Sequence, residues 1–205
     1  MRINLPNQIT IARLFLAIIF FACLAQFDAR SAEPAWWLLD VCTALFLIAA
    51  ISDVIDGYLA RKHNQVTSFG RVIDPFVDKI LVIGAYVFLA GEGFVDQTGD
   101  KISDVAGWMV VVILGRELLV TSLRGVTEAS GQAFAATIYG KAKMALQSTT
   151  VVWILLTLAH PADLAFFAPA RPWLVYMTVV VTLLSMFAYL RMARGVLSQT
   201  SVAGS

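Results

Sequence analysis

The sequence has 205 residues, of which 59% are hydrophobic and only 14% are charged, and its mean hydropathy is +0.78. A soluble domain has about 45–50% apolar and about 25% charged residues. This composition therefore excludes an ordinary soluble domain and argues against a disordered chain or a nucleic-acid binder. The net charge of +1 identifies no class of partner. The information lies in where the few charges are placed.

Six predominantly apolar segments follow one another along the chain, each near the length of about 20 residues that a helix needs to cross a bilayer. Short polar stretches with helix breakers, such as Gly91-Glu92-Gly93 and His160-Pro161, separate them. We therefore predict an all-α integral membrane protein with six transmembrane helices, a single domain over residues 1–197 and a flexible tail over 198–205. The first segment is predicted to be retained, because no clear A-x-A cleavage site follows it. The six segments are Ile9–Phe27, Trp36–Ala60, Val72–Ala90, Val105–Leu123, Ile138–Ala159 and Trp173–Ala193.

The lysines and arginines predict the orientation of these helices. With six spans, 12 of the 15 basic residues fall on the side of the N-terminus, and the other three are Arg30, Lys101 and Arg171. Basic loops are retained in the cytoplasm, so both termini are predicted to be cytoplasmic. The absence of a transit segment favours a bacterial inner membrane.

Four aspartates lie at membrane depth. Asp53 and Asp56 are three residues apart near the end of the second segment, and Asp74 and Asp78 are four apart near the start of the third, so each pair occupies one helical face. Intramembrane carboxylates are costly and indicate function by default; a set of interfacial caps and ion pairs is the alternative. Because the linker is short, we expect antiparallel neighbouring helices whose four carboxylates face one another.

Four facing carboxylates need cations if all are to stay ionised. Oxygen ligands without Cys or His favour Mg²⁺, Mn²⁺ or Ca²⁺ over zinc, and two divalent ions would balance the four charges. Two metals about 3.5–4 Å apart are a known arrangement for displacement at phosphorus. The aspartates therefore predict phosphoryl chemistry on a lipid.

The pattern Asp53-x2-Asp56-Gly57-x2-Ala60-Arg61-x8-Gly70-x3-Asp74-x3-Asp78 resembles the signature of the CDP-alcohol phosphotransferases at every fixed position. The resemblance implies that family's fold of six transmembrane helices, a homodimer, a polar cavity facing the cytoplasm and two divalent cations, Mg²⁺ or Mn²⁺. It also implies transfer of a phosphatidyl group from a CDP-lipid to an alcohol. The four aspartates would then hold the metals, Asp78 would also be the general base, and the nucleotide site would be lined by Asp56, Gly57, Ala60, Arg61 and Gly70.

The N-terminal pattern Asn7-x2-Thr10-x2-Arg13 is similar to the start of the branch of this family that uses sn-glycerol 3-phosphate as the acceptor. These residues recur every three positions on one side of the helix start. Beside the aspartate signature, they are predicted to contact the nucleotide or the headgroup. A plain helix N-terminus with an anchoring arginine is the alternative.

A basic cluster predicts the acceptor site. Arg116 lies inside an apolar run, where an unpaired guanidinium is expensive, so Glu117, Glu128 or an anionic ligand must pair with it. Arg116 and Arg124 lie nearly on one face, and Lys141 begins the following segment. Arginine binds phosphate through a bidentate fork. We therefore predict that Arg116, Arg124 and Lys141 bind the acceptor's phosphate, whereas a basic loop alone can account for Lys143.

The resemblance, together with this basic cluster, implies transfer of the phosphatidyl group from CDP-diacylglycerol to sn-glycerol 3-phosphate, giving phosphatidylglycerol phosphate and CMP in phospholipid biosynthesis. The partners are then the two substrates and membrane lipid, with no nucleic acid. The same reaction with inositol phosphate or phosphatidylglycerol as acceptor is the alternative within the family. A divalent-cation carrier is the alternative from another class, although Arg61 and Gly70 would have no role in ion passage.

Overall fold

A computed structural model describes residues 5–62, 68–129 and 138–203 of the chain. Beyond the α-helices, this part holds one 3₁₀ turn, Glu92–Phe94, and an isolated bridge between Val95 and Lys101, with no strand. The all-α prediction is therefore confirmed for the described residues. The α-helices are α1 (Leu5–Gln26), α2 (Trp37–Lys62), α3 (Ser68–Leu89), α4 (Gly107–Ala129), α5 (Ile138–Ala159) and α6 (Ala170–Ala203).

The helices coincide with the six predicted apolar segments, but most of them are longer. α5 has the predicted bounds, whereas α3 begins at Ser68 and α6 continues to Ala203, past the predicted domain end at residue 197. Hydropathy locates the apolar stretch, and a helix can continue beyond it because its backbone hydrogen bonds do not depend on side-chain polarity. With 34 residues, α6 is about 51 Å long.

The distribution of polarity is that of a protein surrounded by lipid. Three stretches of the described helices are long and apolar enough to cross a membrane, namely Gln8–Gln26, Ala142–Ala159 and Ala170–Ala193. Large apolar side chains such as Phe15 and Val111 are exposed, which would be unfavourable over so many positions in water. Hydroxyl, amide and charged side chains are instead found among the buried residues.

α3 occupies the centre of the bundle and contacts α1, α2, α4 and α5. α5 also packs against α2 and α6, and α4 against α6. The apolar core between these helices includes Phe20 of α1, Phe46 of α2, Ala85 of α3 and Ile113 of α4. The central helix therefore places its residues next to four others, which is how residues distant in sequence meet at one site.

The connections 27–36, 90–106 and 160–169 lie together at one end of the bundle, named here the capped end. Ala29 N–H donates to the Gly93 carbonyl at 2.9 Å, and Arg171 Nε donates to Asp104 Oδ2 at 2.5 Å. His160 Nε2 lies 2.9 Å from Asp40 Oδ1. Because α1, α3 and α5 finish here and the other helices begin here, consecutive helices run in alternate directions. The opposite end is named the site end.

Gly93 lies close to the backbone of the connection between α1 and α2 at the capped end. A Cβ at this position would lie 2.4 Å from the carbonyl oxygen of Phe27, a backbone atom that cannot swing away. Gly93→Ala is therefore expected to lower the free energy of unfolding by about 1–3 kcal/mol, measured as a fall in melting temperature of the detergent-purified protein. Gly107→Ala is the matched control, because nothing lies within 4 Å of a Cβ there. An equal fall in both variants would contradict the clash.

Candidate active site

The backbone places all four signature aspartates in the halves of α2 and α3 that point to the site end. Asp53 and Asp56 lie in α2, and Asp74 and Asp78 lie in α3, which contacts α2. The side chain of Asp53 is described. That the four carboxylates meet stays a prediction. The side chains of five signature residues lie outside the described part, namely Asp56, Ala60, Arg61, Asp74 and Asp78, as do the surroundings of Gly57 and Gly70.

Asp53 is bound by an arginine from another helix. Arg13 Nη1 of α1 donates to Asp53 Oδ1 at 2.6 Å. The Arg13 side chain is 1% exposed, whereas that of Asp53 is 35% exposed. Thr10, one turn before Arg13, is also buried, and the Asn7 side chain lies outside the described part. The N-terminal motif therefore reaches the interior and contacts the aspartate signature directly.

A cavity of about 130 Å³ lies beside this ion pair, between α1, α2, α3 and α5. Asp53, Arg13 and Ser148 provide its polar lining, and the other walls are apolar. Carboxylate and hydroxyl oxygens are donors that suit a divalent cation such as Mg²⁺. Within the described ranges no three or more His, Cys, Asp or Glu side chains form a metal-binding group. Asp53 is thus the described member of the predicted ligand set, and its chemistry fits that role.

A second cavity, of about 170 Å³, lies between α3, α4 and α5. Its polar lining consists of Lys79, Glu117, Lys143 and Gln147. Lys79 directly follows Asp78 in α3, and its Nζ donates to the hydroxyl of Thr121. Two lysines line this cavity with one carboxylate, so its lining has a formal surplus of positive charge. The two cavities share the wall residues Val82 and Met144 and are therefore adjacent.

Glu117 joins the charged groups around the second cavity. Its Oε1 accepts hydrogen bonds from Arg116 Nη1 at 2.8 Å and from Lys143 Nζ. Arg116 Nε also donates to Ser185 Oγ of α6 at 3.0 Å, and its guanidinium carbon lies 5.3 Å from the centre of the Tyr189 ring. The side chains of Arg116, Glu117 and Lys143 are all buried. Among the partners expected for Arg116, Glu117 is the one that the structure describes in contact with it, and the Glu128 side chain lies outside the described part.

The other predicted acceptor residues are placed differently. Arg124 is exposed near the end of α4, and the Lys141 side chain lies outside the described part. Lys143, which the sequence treats as an ordinary basic-loop residue, is buried at the second cavity.

A polar stripe on α5 is the sequence signal that would have identified Lys143. Lys143, Gln147 and Thr150 follow at spacings of four and three on a predominantly apolar helix, which places them on one face. Gln147 Nε2 donates to Thr182 Oγ1 of α6 at 3.2 Å, and the hydroxyls of Thr150 and Thr178 are 2.9 Å apart. The stripe therefore begins at the second cavity with Lys143 and continues along α6 with Gln147 and Thr150.

Comparison with known proteins identifies the family of this chain. The family model of the CDP-alcohol phosphatidyltransferases matches residues 3–185. A Bacillus subtilis protein named CDP-diacylglycerol–glycerol-3-phosphate 3-phosphatidyltransferase is 39% identical over 184 residues, covering 86% of this chain and 90% of the relative. Proteins of the same name from Yersinia enterocolitica and Salmonella choleraesuis are 32% and 30% identical over 94% and 95% of this chain, and 96% and 97% of their own lengths. With the signature on α2 and α3 and a match over most of its length, the chain belongs to the CDP-alcohol phosphatidyltransferase family.

Proposed function

We propose that the protein transfers the phosphatidyl group of CDP-diacylglycerol to sn-glycerol 3-phosphate, releasing CMP and phosphatidylglycerol phosphate. The observation that carries this proposal is the identity of 30–39% to relatives named for this reaction, over nearly the whole length of both chains. The aspartate signature supports the reaction type, and the basic second cavity supports a phosphorylated acceptor. Members of this family generally depend on divalent cations.

The proposed enzyme crosses the membrane six times, with the site end and both termini in the cytoplasm. Six helices of at least 22 residues support this, because the shortest are about 33 Å long and the hydrocarbon core is about 30 Å thick. The capped end carries Arg30, Lys101 and Arg171, the three basic residues predicted to be outside. The host membrane is then the bacterial inner membrane. Residues 1–197 form the membrane domain of a homodimer, and residues 198–205 form its tail.

In the proposed reaction Asp53, Asp56, Asp74 and Asp78 hold two divalent cations, Mg²⁺ or Mn²⁺, which when bound neutralise the diphosphate and polarise the attacked phosphorus. Asp78 removes the proton from the 1-hydroxyl of glycerol 3-phosphate. That oxygen attacks the phosphorus that carries the diacylglycerol, and CMP leaves. The nucleotide is contacted by residues from the signature and the first two residues of the N-terminal motif, namely Asn7, Thr10, Asp56, Gly57, Ala60, Arg61 and Gly70.

The acceptor's phosphate is proposed to bind near the second cavity. Lys79 and Lys143 line this cavity with Glu117 as the carboxylate in its described lining, and Arg116 is bound to Glu117. The three cationic side chains and one carboxylate leave a formal surplus of two positive charges, which a phosphate dianion would balance. Arg116 stabilises the Glu117 carboxylate through the hydrogen bond from its Nη1. Arg124 and Lys141 complete the proposed acceptor site. This charge balance disfavours serine or ethanolamine as the acceptor.

An acceptor panel tests the proposal. Purified protein with Mg²⁺ and radiolabelled CDP-diacylglycerol is offered glycerol 3-phosphate, inositol phosphate, phosphatidylglycerol or serine. We expect lipid product and CMP from glycerol 3-phosphate at a rate roughly 10²-fold or more above serine, because a polar site rejects an analogue that leaves its charges unpaired. A preference for inositol phosphate would show the acceptor to be wrong. Mn²⁺ flux into proteoliposomes without CMP from any acceptor would favour the carrier.

A further inference from the structure

Arg13 is the most deeply buried charged side chain among the described residues, at 1% exposure. Its guanidinium donates from Nη1 to Asp53 Oδ1 at 2.6 Å, a short charge-assisted bond. Arg13 and Asp53 both line the cavity of about 130 Å³, but almost none of the Arg13 side-chain surface is accessible. The carboxylate that it binds is 35% exposed.

We infer that Arg13 is a positioning residue that acts through Asp53: it orients the Asp53 carboxylate toward the cavity for the divalent cation, and it does not contact the nucleotide. This inference rests on the proposed function, in which Asp53 is a metal ligand. It reassigns the third residue of the N-terminal motif from the substrate to the protein's own metal site.

The physical reason is the geometry that a metal demands of its ligands. A ligating carboxylate is itself hydrogen-bonded by a surrounding group, which fixes its orientation, and removal of that group typically costs about 10–100-fold in metal affinity. Arg13 is suited to this task because a guanidinium is always charged and presents a rigid fork. Since the pair joins α1 to α2, rotation of the Asp53 carboxylate would break a partly buried bond between two helices.

Three roles for Arg13 give different results. A positioning residue changes the affinity for the metal even when no nucleotide is present. A nucleotide contact leaves that affinity unchanged and raises the KM for CDP-diacylglycerol. A merely structural ion pair lowers the melting temperature and leaves both affinities unchanged in the protein that remains folded.

The test measures Mn²⁺ binding to the full-length, detergent-purified protein by electron paramagnetic resonance of free Mn²⁺, without nucleotide. We expect Arg13→Gln to weaken binding by about 10–100-fold and Arg13→Lys to restore part of the loss, because the charge remains and the fork is lost. In the Asp53→Asn background, Arg13→Gln is expected to cause no further loss, because the two residues act as one unit. Arg30→Gln is the matched control, since Arg30 pairs with the exposed Glu92 at the capped end.

A kinetic measurement separates metal from nucleotide. In Arg13→Gln the Mn²⁺ concentration for half-maximal CMP release is expected to rise, while the KM for CDP-diacylglycerol at saturating Mn²⁺ stays near the wild-type value. If Arg13→Gln does not yield folded protein, Mn²⁺ binding is measured instead for Arg13→Lys, in the wild-type and in the Asp53→Asn background.

Wild-type Mn²⁺ affinity in Arg13→Gln, with weakened binding of CDP, would overturn the inference in favour of a nucleotide contact. If Arg13→Gln weakens Mn²⁺ binding equally in the wild-type and Asp53→Asn backgrounds, Arg13 does not act through this carboxylate. Failure of the wild type to form CMP with any acceptor, while the Mn²⁺ series behaves as expected, would overturn the proposed function and leave the positioning role standing.

Discussion

Asp78→Asn is expected to reduce CMP release by roughly 10²–10⁴-fold, the usual contribution of a general base. An amide has nearly the shape of the carboxylate but cannot take the proton of the attacking hydroxyl. Binding of CDP-diacylglycerol is expected to remain largely intact, because the other three signature aspartates still carry their charges. The measurement is CMP release at saturating Mg²⁺, alongside a direct binding assay with the CDP-lipid.

Asp163→Asn is the control for this substitution, since Asp163 is exposed in the connection between α5 and α6. It should retain wild-type turnover. Complete loss of CDP-lipid binding in Asp78→Asn would assign Asp78 to the donor site, and turnover near the wild-type rate would remove it from the chemistry.

Glu117→Gln is expected to destabilise the protein by about 3–5 kcal/mol, because loss of one partner leaves buried charges uncompensated. The Glu117 carboxylate accepts hydrogen bonds from both Arg116 and Lys143, and all three side chains are buried. Without it, two cations face each other inside the bundle. Thermal unfolding in detergent should therefore show a large fall in melting temperature.

A second substitution distinguishes this charge effect from simple loss of a hydrogen bond. Lys143→Met removes one of the two cations, so the variant with both substitutions should be more stable than Glu117→Gln alone. A double variant that is less stable than either single variant would contradict the charge argument. Glu92→Gln is the matched control, because Glu92 is exposed and its pair with Arg30 is worth about 0–1 kcal/mol.

Much of the fold follows from local properties of the sequence. Each apolar segment is close to the thickness of a bilayer, and the breakers between segments, such as Gly91 and Pro161, fall in connections of the described structure. The helix ends were less predictable. Polar residues at the ends of a membrane helix lie near water, where hydropathy gives no boundary, and the extension of α6 to Ala203 illustrates this.

The residue types of the site could be predicted from the sequence, but the contacts between residues could be predicted less well. The spacing of the aspartates predicts one helical face for each pair, because that relation is local to a helix. The contact between Arg13 and Asp53 joins residues 40 positions apart, and Arg116 and Ser185 are 69 apart. Such pairings depend on which helices become neighbours. The burial of Lys143 depends on the same packing, so its charge alone suggested an ordinary loop residue.

The bond between Arg13 and Asp53 also bears on how the chain enters the bilayer. Its partners belong to consecutive helices, α1 and α2, which leave the ribosome one after the other. A lone ionised side chain costs about 2.5–3.5 kcal/mol when the translocon releases its helix into lipid with the charge near the centre. In the proposed six-span topology, a hairpin of the two helices would present a neutral pair to the hydrocarbon. Asp53 would then enter the membrane together with its counterion, at a lower free-energy cost than alone.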